Sequence, residues 1–569
     1  MNATHRTPPA LRFLLPIVLK LSLPPILVYT ICRRWLDPMW TPTALLLFAC
    51  VLSIPATVII YVEYFELKRE GEARKHGATL PKGIEPWGLA LLKKIHHDVD
   101  VSTNYTSKVD WLGEYGPISS WRICFVDTVI VTEPEYLKRI LVTETKSFDK
   151  GLDLISPLSQ ILGSGIFTSD GALWRFHRKM ARPFFNRERI SEFPLFEQRA
   201  NTVIALITSQ SLRDAPVDWQ ELMYRFTLDC ATAFLFGHDS RSLFEDDTDL
   251  TSSMQRDHGK LESFSHSLQK GLILTGKRVR YGRAWPLLEL REDKLRKYNA
   301  VIDAFLEPII NEHLRRKAES AGSNTECIDN EIFLEYLTRC TDDVKLIKDE
   351  AMTMLLGARD TIASTLTSAV FNLTKYPNIC QKLHQEVVDV IGDRQPSYDD
   401  IRQMRYLRAF INEVLRLFPP VPMNVRSSRT GVVWPSTVPG EKPIYIPPNT
   451  RIVMPYFVTH RRDDLWGPDA AQFDPDRFLD ARLNKYLTPN PMIFIPFNAG
   501  PRICLGQQFA YNATSFMIVR LLQHFTDFKL VNTEGGPLGP GSVKFRSHIT
   551  LYASDGLWVK MSKEQQATS

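Results

Sequence analysis

Cys504 has the setting in this chain that reads most directly as chemistry. It lies in Phe497-Asn498-Ala499-Gly500-Pro501-Arg502-Ile503-Cys504-Leu505-Gly506, a stretch with two glycines and a proline. From Gln507 onward the apolar residues Phe509, Phe516, Ile518, Val519, Leu521 and Leu522 fall at helical spacing. Cys504 is therefore expected at the mouth of a helix. Unpaired N–H groups and the positive end of the helix dipole favour a thiolate there. Gly500 and Gly506 can take φ > 0 and let the backbone approach a flat partner closely. Arg502 can neutralise the thiolate or reach an anionic group on what the loop binds. Such a thiolate suits a soft metal or a haem iron. The alternative for a lone cysteine is a small buried hydrophobe.

A second group with chemistry is Gly357-Ala358-Arg359-Asp360-Thr361-Ile362, inside a helical run from Lys348 to Tyr376. A mid-helix glycine costs about 1 kcal/mol against alanine, and Thr361 can bond back one turn and bend the helix. That combination suits a groove for a small molecule with Asp360 and Thr361 as a proton relay; a close helix–helix contact is the alternative. Trp174 and Arg178 stand at i,i+4 on a helix that Asp170 can cap. Glu413 and Arg416 stand at i,i+3 on a helix expected to start near Asp400, ahead of Leu417-Phe418-Pro419-Pro420-Val421-Pro422-Met423-Asn424-Val425-Arg426.

The string around Cys504 resembles the cysteine-ligand signature of the cytochrome P-450 family, Phe-x-x-Gly-x-Arg-x-Cys-x-Gly. All five specified positions match, at Phe497, Gly500, Arg502, Cys504 and Gly506. The resemblance implies that Cys504 is the axial ligand of a haem b iron. It implies that Trp174, Arg178, Arg426 and Arg502 bind the haem propionates. It also implies that Arg477, in Phe473-Asp474-Pro475-Asp476-Arg477-Phe478, completes a structural cluster with Glu413 and Arg416. The Gly357 segment is similar to the family's Ala/Gly-Gly-x-Asp/Glu-Thr-Thr/Ser element. It departs twice: Gly and Ala are exchanged, and Ile362 replaces the second hydroxyl residue, which leaves the relay to Thr361. Gly357 stands where some fatty-acid hydroxylases carry a haem-esterified Glu, so non-covalent haem is expected.

The family's fold is mainly α with small β-sheets, and the resemblance runs from about Pro81 to Met561. His460 to Ala470 and the Asn424–Arg426 pair resemble the fungal microsomal branch that hydroxylates alkanes and fatty acids. Tailoring of a terpenoid or other secondary metabolite is the competing reading, with a haem–thiolate isomerase or a non-catalytic haem-binding protein further off. A hydrophobic small molecule is the expected substrate, with pocket candidates Ile161 to Phe167, Leu356 to Thr361, Val421 to Asn424 and Ser554 to Leu557. An NADPH-cytochrome P-450 reductase is the expected electron donor, and Arg175, Lys179 and Arg182 form a basic patch suited to an acidic partner; a merely solvated basic face is the alternative.

The elements that must position these residues follow from the rest of the chain. With 569 residues it can bury a large core, and its net charge of +5 gives no reason to expect nucleic-acid binding. Eight cysteines without C-x-x-C spacing argue for reduced thiols facing a cytosol. Thr43 to Val62 has twenty residues without a charge, enough at about 1.5 Å each to span a roughly 30 Å hydrocarbon core. Lys68, Arg69, Arg74, Lys75 and Lys82 follow, so residues 67–569 are expected to face the cytosol as a catalytic domain behind an N-terminal transmembrane anchor, residues 1–66, in the endoplasmic reticulum membrane. Leu11 to Ile31 is apolar but broken by Arg12, Lys20 and three prolines; a second span, a hairpin partner and an interfacial segment all fit. A cleaved signal peptide fits poorly. Asn2-Ala3-Thr4 is a glycosylation sequon, usable only on a lumenal N-terminus. Trp121 to Thr132 alternates and predicts strands; residues 186–345 predict amphipathic helices. His177, His238, His258 and His266 lack ligand spacing and read as surface or packing residues.

Overall fold

In the computed structural model of the chain, which describes residues 8–35, 43–83, 116–123, 126–185, 193–244, 264–320, 332–531 and 543–563, both apolar N-terminal runs are helices. They are α1, Pro9–Trp35, and α2, Thr43–Lys75. The prolines of the first run are absorbed within one continuous helix. The two helices pack together, and the Cys50 thiol lies 3.5 Å from the carbonyl of Pro25. Each is long and apolar enough to cross a membrane. The sequon at Asn2, Cys124, Cys327, His258 and the connector beyond Gly83 lie outside the described residues.

Alternating β-branched residues form the antiparallel pair β1, Ile118–Ile123, and β2, Val126–Val131. They belong to a five-stranded sheet with β3, Phe148–Asp149, β4, Asn424–Ser428, and β5, Arg451–Met454. The order is β1-β2-β5-β4-β3, with β2 and β5 parallel and the other pairs antiparallel. Asp149 pairs in register with Ser427, beside Arg426. The sheet thereby brings chain segments almost three hundred residues apart to one edge of the site.

The rest is mainly helical. The elements that matter for the site are α3, Leu152–Leu162; α4, Gly171–Ala181; α5, Trp219–Phe236; α6, Phe264–Tyr281; α7, Val344–Lys375; α8, Tyr398–Gln403; α9, Arg405–Leu417; and α10, Gln507–His524. α7 is buried around most of its circumference, as a central helix without a polar face must be. Asp343 caps it by accepting from the N–H groups of Lys345 and Leu346 at 3.0 and 3.2 Å. α5 packs along it, and the Trp219 indole donates to the Leu366 carbonyl at 3.0 Å.

The single helix expected from Asp400 is two. Ser397 and Asp400 cap α8 reciprocally, and the chain breaks at Met404. The first turn of α9 is capped from another helix: the Glu386 carboxylate accepts from Tyr406 and Leu407 N–H at 2.8 and 2.7 Å. A cap supplied from elsewhere in the chain leaves no local signal.

Candidate active site

The loop before α10 folds around its own backbone. The Cys504 N–H donates to the Phe497 carbonyl at 3.0 Å, and the Phe497 ring lies 5.1 Å from that of Tyr511. Gly500 has φ +67, and a Cβ there would stand 1.9 Å from the Leu141 carbonyl oxygen, so this position requires glycine. Gly506 differs from the expectation, with an ordinary φ of −85. A Cβ on Gly506 would meet only the Phe185 ring, at 3.8 Å. Among the described residues nothing demands glycine at 506; a flat group lying against the loop would.

The Cys504 thiol is deep in the protein yet keeps an exposed surface. The expected thiolate does not arise from the helix mouth alone. Burial pushes the thiol up, and the Gly506 N–H and nearby Arg178 only oppose that push. A bound metal ion would favour the thiolate, since it deprotonates a coordinating thiol outright.

Cations converge beside this loop. Arg178 donates to the Ile503 carbonyl at 3.0 Å. The Arg502 guanidinium lies 4.4 Å from the centre of the Trp174 ring, and that of Arg178 lies 5.8 Å away. Arg426 is buried and is lowered by that burial, while Arg502 is lowered by burial and then by Arg426. Lys150 joins them and is held well below the ordinary lysine range by burial, Arg426 and Arg502. Two carboxylates answer these charges. Asp170 does not cap its own helix; it accepts from Lys150 N–H at 2.9 Å and from Arg502 at 2.7 Å. Asp149 is raised by burial and by Asp170. A cavity of about 400 Å³ opens at this end of the site, walled by Trp174, Arg426 and Arg502 but not by Cys504.

α7 meets this cluster through Phe167. Its ring would be 3.6 Å from a Cβ on Gly357, and its carbonyl accepts from the Lys150 ammonium at 2.7 Å. Thr361 Oγ1 donates to the Gly357 carbonyl at 2.7 Å, the back-bond that its position suggests. Asp360 is buried, accepts from Arg359 at 2.8 Å, and is raised by burial against the pull of that arginine. Arg359 in turn reaches Ser265 Oγ at 3.0 Å and lies over the Tyr224 ring.

Glu413, Arg416 and Arg477 form a separate cluster. Glu413 accepts from Arg416 at 2.6 and 2.7 Å and lies 3.5 Å from Arg477 Nε; all three are buried. His460, the first residue of the stretch that resembles the fungal branch, ties this cluster to the cysteine loop. Its carbonyl accepts from Arg416 at 2.8 Å and its Nε2 accepts from the Ile495 N–H at 3.1 Å. Burial drives its imidazole down to about 3, so it remains neutral.

A one-way hydrogen-bond relay also escaped sequence reasoning. Arg426 donates to Asn424 Oδ1 at 2.9 Å, Asn424 Nδ2 to the Tyr456 hydroxyl at 3.2 Å, and that hydroxyl to Asn498 Oδ1 at 3.2 Å. Asn498 Nδ2 then donates to the Arg502 carbonyl at 3.1 Å. Asn498 holds a left-handed φ of +66, which asparagine tolerates. Arg426, Asn424, Asn498 and Arg502 each stood in a stretch with a sequence signal; Tyr456 and the connection between them did not.

His177 is a packing residue, buried and paired with Glu350 on α7. Arg175, Lys179 and Arg182 are exposed on and just after α4. In the turn Ser554 to Leu557 a Cβ on Gly556 would strike Asp218, and Leu557 is fully buried. In the preceding hairpin the Leu551 N–H donates to the Pro420 carbonyl at 2.9 Å, next to Val421. The two turns stand seven residues apart, and no pattern distinguishes them before the chain is folded.

The family model described as Cytochrome P450 matches residues 88–537. The chain is a cytochrome P450. Among its relatives, cytochrome P450 monooxygenase himC of Aspergillus japonicus is 33% identical over 438 residues, 76% of this chain and 74% of the relative. Cytochrome P450 52A5 of Candida maltosa is 31% identical over 527 residues, 89% of this P450 and 96% of the relative. Cytochrome P450 monooxygenase pvhE of Talaromyces variabilis is 28% identical over 543 residues, 90% and 96% of the two chains. The protein is thus an oxidoreductase of the haem–thiolate class and a P450 of the fungal microsomal kind. The residues present fit haem: an open thiol, a glycine that only a flat neighbour requires, and a surplus of buried cations matching two propionates.

Proposed function

We propose that this P450 hydroxylates a long-chain alkane or fatty acid. Residues 1–66 anchor it in the endoplasmic reticulum membrane, and residues 67–569 act on the cytosolic face. The observation that supports the substrate class is apolar surface left accessible at Phe167, Gly357, Ala358, Val421 and Met423, residues of the stretches expected to line a pocket. The match to cytochrome P450 52A5 along 96% of its length supports the same choice.

Cys504 would hold the iron, and Trp174, Arg178, Arg426 and Arg502 the propionates, with Lys150 as a fifth donor that sequence reasoning missed. Phe497, Gly500 and Gly506 shape the loop. Haem bound there supplies activation of O2 and transfer of one oxygen atom to a C–H bond. The chain's own work is to bind, orient and deliver protons. Thr361 donates to a carbonyl in its own helix and can re-aim that hydroxyl proton toward the cleft. Asp360, raised toward protonation by burial, can resupply it. Gly357 offers no carboxylate for a covalent haem link.

Thr361→Ala is expected to cut product formation roughly 100-fold with haem content at the parent's level. Product per NADPH consumed is the measurement; an unchanged ratio removes Thr361 from the relay.

Electrons would come from an NADPH-dependent reductase, docked through its acidic surface on Arg175, Lys179 and Arg182. The deciding experiment supplies microsomes with reductase, NADPH and a panel of palmitate, hexadecane and terpenes. Palmitate or hexadecane oxidised at or near a terminal methyl, and only when reductase is present, supports the proposal. The second reading, tailoring of a terpenoid or other secondary metabolite, has in its favour that himC and pvhE match about as well as cytochrome P450 52A5. Ring-oxidised terpene as the sole product would establish it instead.

A further inference from the structure

The hairpin of β6, Phe545–Ser547, and β7, Leu551–Ala553, has two unlike faces. Phe545 is buried against Phe371 and Phe418, with ring centres 5.1 and 5.2 Å apart. On the other face Arg546 stands opposite Tyr552 in register, and the His548 ring stacks on Tyr552 at 4.8 Å. That face meets the last turns of α6. A Cβ on Gly276 would lie 2.8 Å from His548, and Arg280 donates to the Ser547 carbonyl.

The charges here do not balance. Arg280 is lowered by burial and, after the raising effect of the Tyr552 and Tyr281 phenols, by Arg546. Among the described residues no carboxylate forms an ion pair with Arg280 or Arg546; Asp555 lies in the field of Tyr552 but is exposed. His548 Nδ1 accepts from the N–H groups of Ile549 and Thr550 at 2.7 and 3.2 Å. The ring proton therefore sits on Nε2 and is available to donate. Burial and the cations Arg280 and Arg359 keep this imidazole neutral. Two guanidiniums, an imidazole N–H and the hydroxyls of Tyr281 and Tyr552 thus gather without an anion among them. Half-buried guanidiniums without a counter-charge are costly unless a ligand supplies one.

The geometry points to an anchor for the carboxylate of a long-chain fatty acid, made by Arg280 with Arg546 and His548. The hairpin bonds Pro420, next to the partly exposed Val421, while Cys504, Arg426 and Arg502 belong to a different cluster. Holding the acid at the hairpin leaves the opposite end of the chain, the terminal methyl, for the cysteine side. This inference rests on the reading of the substrate as a hydrocarbon chain and narrows it from alkane to acid.

The test is a titration of the full-length haem-loaded protein, followed by the ligand-induced shift of the haem spectrum, with palmitate, methyl palmitate and hexadecane. Palmitate should bind roughly 10- to 100-fold more tightly than its methyl ester. Arg280→Gln and, separately, Arg546→Gln should erase most of that preference while altering hexadecane affinity far less. Equal binding of palmitate and its ester by the parent protein overturns the anchor, with no variant needed. So does a preference that survives both substitutions. If none of the three compounds shifts the spectrum, the hydrocarbon-chain reading itself fails and the anchor with it.

Discussion

Cys504→Ser purifies as a folded protein that lacks the thiolate-type Soret band after reduction and exposure to carbon monoxide, and its oxygenation falls to background. A serine keeps the size and the backbone of the loop. The Cys504 N–H still bonds Phe497, and Gly500 still passes under Leu141. What disappears is an exposed soft ligand beside the cation cluster. Its sulfur cannot be replaced by any other described thiol nearby. Cys230 and Cys380 are buried, with thiols pushed upward by desolvation, and Cys380 lies against the Thr526 carbonyl in the protein's interior. A variant whose reduced carbonyl spectrum equals the parent's would remove Cys504 from the iron and the oxidation chemistry with it.

Glu413→Ala should cost about 3–5 kcal/mol, the usual penalty for stranding buried charge, against a total stability on the order of 5–15 kcal/mol. Among the described residues Glu413 is the only carboxylate paired with Arg416, and it also accepts from the Asp474 N–H at 2.9 Å. Without it, Arg416 retains only carbonyls, those of His460, Ala470 and Gln472. Arg477 loses one of two carboxylates, keeping Asp469 at 3.1 Å. The damage passes through His460 to Ile495 and so to the loop that carries Cys504. The expected result is a sharp drop in haem-loaded protein and a denaturation midpoint far below the parent's. Glu413→Gln should fall between the two, because an amide oxygen still accepts one bond. A Glu413→Ala protein with the parent's haem content and midpoint would show the cluster to be dispensable.

The sequence by itself determined the chemistry of the cysteine loop, because five residue types at fixed spacing form one short segment and need no distant partner to be read. It also determined the helix of Asp360 and Thr361, whose back-bond is local, and the apolar helices at the N-terminus, whose character is compositional. Tertiary structure alone decided everything that depends on how far-apart segments meet. Asp170 looked like a helix cap until Lys150 and Arg502 arrived to claim its carboxylate. The thiol of Cys504 looked pre-ionised until the depth of its burial was known. Lys150, Tyr456 and Arg280 carry no motif, since each takes its meaning from a partner well outside its own segment. Local spacing reports local geometry; charge balance and desolvation are sums over neighbours, and only folding settles which neighbours those are.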